Sequence, residues 1–162
     1  MTLYEQLLEE AYNEGIIVKE VSLNSNADGL YMNNKIAINK NLNTVTDKAC
    51  VLAEELGHHY TTIGNILDLK NINNAKQELQ ARKIAYNKLL PLDSLAETFF
   101  KNDVQNIYEL SELLDLSVPF LKEALEYYTS KYGTHVFAND FLIVFEPSLY
   151  VYRVDEFNTK QY

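Results

Sequence analysis

Apolar residues recur along this chain in two periods, and the switches between them mark out its elements. Leu3, Leu7, Leu8 and Ala11 fall at helical spacing, which predicts a helix over Thr2–Asn13 with Gly15 as its stop. Ile16 to Leu23 is rich in β-branched residues and predicts a strand. After the polar cluster Asn24 to Asp28, Leu30–Met32 and Lys35–Ile38 flank Asn33-Asn34, a two-residue hairpin signal. A small antiparallel sheet is therefore expected ahead of the next helix. Thr44 or Thr46 can cap that helix, Asp47 suits its first turn, and Ala49, Leu52, Ala53 and Leu56 form its apolar face. Gly57 lies inside it at a cost of about 1 kcal/mol relative to Ala. Such a residue is tolerated more readily where something must approach the backbone closely.

Thr61–Asn74 reads as a polar connection, and Ala75–Leu90 as a helix ended by Pro91. Glu78 and Arg82 are four apart on it and form a candidate ion pair. Leu92–Phe100 reads as a short helix. Asn106–Leu114 and Val118–Tyr132 read as two more, split by Asp115-Leu116-Ser117, with Gly133 closing the second. Val136–Ala138 and Phe141–Phe145 flank Asn139-Asp140, a second hairpin signal broken by Pro147, and the last residues read as a frayed polar tail. The expectation is an α+β fold in which residues 1–100 form the core. Residues 101–162 add helices and a hairpin packed on it as one domain.

Composition narrows the chemistry. Hydrophobic residues make up 47% of the 162, enough for a packed core. The net charge of −9 argues against general binding to a phosphate backbone, which needs Lys and Arg to displace counterions. Cys50 is the only cysteine, so no internal disulfide and no cysteine-based zinc cage is expected. The amphipathic, acidic first ten residues lack the basic start and apolar core of a signal peptide, and no apolar run approaches the length of a membrane span. A soluble cytoplasmic protein without membrane contact is the expectation.

The chemistry concentrates in Val51–Thr62, V-L-A-E-E-L-G-H-H-Y-T-T. Glu54 and His58 share one helix face, and Glu55 and His59 the neighbouring one. The zinc-protease motif H-E-x-x-H places two metal ligands four apart, with the inner Glu as general base. Here Glu54 stands where that motif has its first His. Glu54 and His58 supply two ligands, and a catalytic ion needs about three with an open position. Glu78, twenty residues after His58 and near the small residues Ala81 and Ala85 on the next strong helix, is the best candidate for the third. Glu55 would then take the proton from water. A register using Glu55 and His59 as ligands is geometrically possible but leaves no base one position later. From spacing alone, all four residues could equally form a solvated face, and Glu78 a surface pair with Arg82.

The run L-A-E-E-L-G-H-H, followed by E-L-Q-A-R-K-I-A-Y-N-K-L-L-P, resembles the ImmA/IrrE family of metallopeptidases. The resemblance covers roughly Gly15 to Pro91. It implies a compact gluzincin-like core, a zinc site, and cleavage of a helix-turn-helix repressor of the phage or integrative-element type. By position, Glu55 matches the catalytic Glu, His58 the second motif His and Glu78 the downstream ligand. Glu54 replaces the family's first His, which makes the set harder and more anionic and admits Mn2+ as well as Zn2+. A rival role is that of a binder that inactivates the repressor without cutting it. Tyr108–Tyr128 has helix-turn-helix spacing, but Glu123 and Glu126 make its second helix unsuited to a DNA groove and better suited to docking a protein. His135 reads as a turn or surface histidine.

Overall fold

The computed structural model describes residues 1–24, 26–64 and 74–155. The chain divides into two compact units, Met1–Leu89 and Leu90–Tyr162. The architecture is α+β, as expected.

The first unit opens with helix α1 (Leu3–Asn13). Thr2 caps it in a reciprocal box: its hydroxyl accepts from the Glu5 amide at 3.2 Å, and the Glu5 carboxylate accepts from the Thr2 amide at 2.7 Å. Tyr4, Leu7 and Ala11 are its buried stripe, and Gly15 supplies the positive φ of +74° that turns the chain into the sheet. Strands β1 (Ile17–Val21), β2 (Gly29–Met32) and β3 (Lys35–Asn39) lie in the order β1-β3-β2. β2 and β3 form the expected antiparallel hairpin, with Asn33 and Asn34 both at positive φ (50° and 60°) as a primed turn requires. β1 joins β3 in parallel, from Ile17 opposite Lys35 to Val21 opposite Asn39, so the sheet is mixed rather than wholly antiparallel. β3 is therefore central, and its Ile36 and Ile38 are buried.

Helix α2 (Val45–Gly64) packs on this sheet. Thr44 is its cap, accepting from the Asp47 amide at 3.0 Å, while Thr46 lies within the first turn. Leu52, Ala53 and Leu56 are fully buried on its inner face, and Cys50 is buried as well. The helix runs past Thr61, where a polar connection was expected. The hydroxyls of Thr61 and Thr62 bond back to the carbonyls of Gly57 and His58 at 2.8 Å each, so these polar residues sit inside the helix. The remainder of that connection, residues 65–73, lies outside the described residues.

Helix α3 (Asn74–Leu89) packs along α2. The packing explains Gly57: a Cβ added there would lie 2.4 Å from the Ala81 carbonyl oxygen. Ala81 and Ala85 are buried beside it. The small residues let the two backbones approach, and that approach brings the ends of their longer side chains together.

The second unit contains α4 (Leu92–Asn102), α5 (Ile107–Leu114) and α6 (Val118–Tyr132). Asn106 and Ser117 cap α5 and α6, and Asp103 and Asp115 end α4 and α5 in the left-handed region. A three-stranded antiparallel sheet follows: β4 (His135–Ala138), β5 (Phe141–Val144) and β6 (Tyr150–Arg153). The hairpin at Asn139-Asp140 is as expected, and β6 is an addition. Pro147 lies in the bend at residues 146–148 between β5 and β6 instead of ending the sheet, and the buried Val151 between exposed Tyr150 and Tyr152 is the alternation of a half-covered strand. Leu95, Leu110, Leu121, Tyr128 and Ile143 are the unit's core, with the Tyr128 hydroxyl donating to the Leu90 carbonyl at 2.6 Å. The expected frayed end, residues 156–162, lies outside the described residues. Among the described residues, no helix is long and apolar enough to cross a membrane.

Candidate metal centre

Three of the residues singled out by spacing converge. Glu54, His58 and Glu78 each offer one ligand atom, and these atoms lie within 4.8 Å of one another. Glu54 and His58 stand one turn apart on α2, and Glu78 faces them from α3 because Gly57 seats against Ala81. His58 Nε2 lies 3.4 Å from Glu78 Oε1. Two ligands of a tetrahedral ion with bonds of about 2.0–2.1 Å stand about 3.3 Å apart. His58 and Glu78 stand at that spacing and Glu54 offers its ligand atom within 4.8 Å of both, so one imidazole and two carboxylates can gather round one divalent cation whose charge the two anions balance.

Glu55 adjoins this group but is more deeply placed, at 7% exposure. Burial, then the charges of Glu54 and Glu78, push its carboxyl up to about 8. The Glu54 carboxyl is also raised, chiefly by burial, with Arg82 pulling it back down. Gly29 makes room for Glu55. A Cβ at residue 29 would meet Val51 Cγ1 at 2.6 Å and Glu55 Oε1 at 2.8 Å, so β2 passes directly over the carboxylate. The four residues lie in a cleft of about 560 Å³ that β2 borders through Gly29 and Tyr31, and α3 through Arg82. β2 is an outer strand of its sheet.

His59, the alternative ligand, is placed differently. It is 2% exposed, its Nδ1 lies 2.9 Å from the Tyr31 hydroxyl, and its Nε2 lies 3.9 Å from Glu14 Oε2. It is not part of the converging group. His135 is exposed on β4, within 2.9 Å of the Thr134 hydroxyl. The ion pairs around the site run between the helices: Arg82 Nε reaches Glu54 Oε1 at 3.4 Å, and Glu78 reaches His58. Gly29, Tyr31 and Arg82 are cleft residues that the sequence did not single out for this site. The isolated glycine opening β2 was the one available signal, since glycine in a strand marks close approach.

An α+β unit whose central helix and its neighbour bring two carboxylates and an imidazole together beside a buried glutamate is of the metallopeptidase kind. Comparison with protein families agrees: the family described as peptidase M78, IrrE N-terminal-like domain, matches residues 13–126, from the end of α1 into α6. The chain belongs to this metal-dependent family, the ImmA/IrrE group that the motif residues resemble. No curated protein and no solved structure matches it.

Proposed function

We propose that this protein is a metal-dependent endopeptidase that cleaves a helix-turn-helix repressor of the phage or integrative-element type, in the cytoplasm. Glu54, His58 and Glu78 hold a divalent ion, Zn2+ or Mn2+, and Glu55 is the general base. The observation that carries the reading is the convergence of those three ligand atoms from two helices with a buried carboxyl beside them. A divalent ion held there supplies Lewis-acid polarisation of a peptide carbonyl and activation of water.

The chain's own residues supply the rest. Glu55, walled by Gly29 and Val51, takes a proton from the attacking water and returns it to the leaving amine. Burial favours its proton-bearing form, which suits the returning half of that exchange. Among the described residues β2 is the outer strand beside the cleft, an edge to which an extended peptide can bond. The net charge of −9 suits a basic DNA-binding protein as partner better than nucleic acid itself. The exposed Glu123 and Glu126 of α6 fit the same preference.

A second reading is a binder that inactivates the repressor without cutting it. The ion pair of Arg82 with Glu54 favours it, because a guanidinium already neutralises one carboxylate of the set. Glu55→Gln separates the two. The variant is incubated with the repressor encoded by a neighbouring reading frame, in the presence of Zn2+ or Mn2+. A peptidase cuts the repressor as wild type and loses cleavage by about a thousandfold as the variant, the scale of a lost base. A binder leaves the repressor intact in both cases and inactivates it equally.

A further inference from the structure

Arg82 stands against the one ligand position that departs from the two-histidine pattern. Its Nε lies 3.4 Å from Glu54 Oε1, and its side chain borders the same cleft. Its position is set by the backbone: it follows Ala81, whose carbonyl packs on Gly57 one turn before Thr61. Arg82 cannot lose its charge at any ordinary pH. A divalent ion drawn to Glu54 therefore meets a permanent cation already bonded to its own ligand. Two effects act in the same direction. The guanidinium occupies one acceptor position of the carboxylate, at Oε1, and its charge repels the incoming ion. With half of Arg82 exposed, water screens part of this repulsion without removing it.

We propose that Arg82 competes with the divalent ion for Glu54 and thereby sets the metal affinity of the centre. This rests on the reading of Glu54, His58 and Glu78 as ligands. It gives the anionic position a counterweight. Two carboxylates and an imidazole form a hard set that takes many divalent ions, and a fixed cation lowers the affinity for all of them. The opposite role is that of an orienting partner, which holds a ligand in its binding pose and whose loss costs about 10–100-fold in metal affinity. The two roles differ in sign.

Dissociation constants for Zn2+ and for Mn2+ are measured on the full chain by competition with a chromophoric chelator. The proteins compared are wild type, Arg82→Gln, Arg82→Lys and Glu54→Gln with and without Arg82→Gln. Arg82→Gln is expected to bind both ions about tenfold tighter, the scale of one removed neighbouring charge. Arg82→Lys should stay close to wild type, and the effect of Arg82→Gln should shrink in the Glu54→Gln background. Equal thermal unfolding of the metal-free proteins shows that the fold is kept, and Arg82→Met serves as the second neutral variant if Arg82→Gln unfolds. Unchanged or weaker binding by the neutral variants, with wild type binding metal, overturns the role of Arg82 alone. Absence of binding in every protein overturns the ligand assignment and this role with it.

Discussion

His58 and His59 are adjacent in sequence, yet a helical step of about 100° sends them to opposite circumstances. His58 opens on the cleft, 3.4 Å from Glu78 and one helical turn from Glu54. His59 is buried, with the rings of Tyr31 and Tyr60 edge-on at 5.5 and 5.4 Å and Glu14 beyond. One side chain is left able to bind; the other is a strut tying α2 to β2 through Tyr31 and towards α1 through Glu14. Residue type does not separate them. What separates them is which neighbour each face of α2 meets: α3 with its glutamate, or the sheet and α1.

The contrast breaks most visibly at His59. His59→Ala empties a buried ring and takes from the Tyr31 hydroxyl the nearer of its two partners, leaving Asn34, so chemical denaturation should show a loss of about 3 kcal/mol, while metal binding survives in the folded fraction. Loss of metal with stability intact would reverse the two roles.

Next in size is the response to pH with the ion removed by chelator. The Glu55 carboxyl is raised from 4.5 to about 8 in the fold. Its protonated form is the stable one, so its contribution is complete below about pH 4.5 and lost as pH rises towards 8. Denaturation between pH 5 and 8 should show stability falling by about 3 kcal/mol, and Glu55→Gln should flatten the slope. The lowered carboxyls of Glu5, Glu10 and Glu20 act in the opposite sense, losing stability as pH falls below their ordinary range, and do not mask this window.

Gly57→Ala acts on the His58 side of the helix. The new methyl meets backbone at Ala81, which no rotamer change can relieve. Overpacking costs about 1–3 kcal/mol, offset by about 1 from helix propensity. A net loss of about 1 kcal/mol in denaturant is expected, with weaker metal binding as Glu78 is pushed away. Tyr31→Phe removes the hydroxyl at the buried His59 Nδ1 and should cost about 1 kcal/mol by the same measurement, the low end for a buried ring nitrogen that loses its bond.

Much of this was legible in the chain. Spacing on a single helix placed Glu54 with His58, the Asn33-Asn34 pair marked a hairpin whose turn needs positive φ, and Gly57 signalled a close approach before Ala81 was known to be its partner. Each of these is a local property of the backbone. What was not legible depends on register between distant segments. β1 pairs with β3 in parallel across the hairpin, and β6 finds its strand partner in β5 and packs on α4. Arg82 was expected to pair with Glu78 on its own helix by the four-residue rule; its ion pair with Glu54 spans 28 residues and follows from how α3 sits on α2. The same register decides that His58, and not His59, looks into the cleft.

Elemental analysis of protein purified without a histidine tag decides whether Glu54, His58 and Glu78 hold one divalent ion. Close to one zinc or manganese ion per chain is expected in wild type and in His59→Ala, and none in His58→Ala. Wild-type protein that stays metal-free after zinc loading contradicts that assignment.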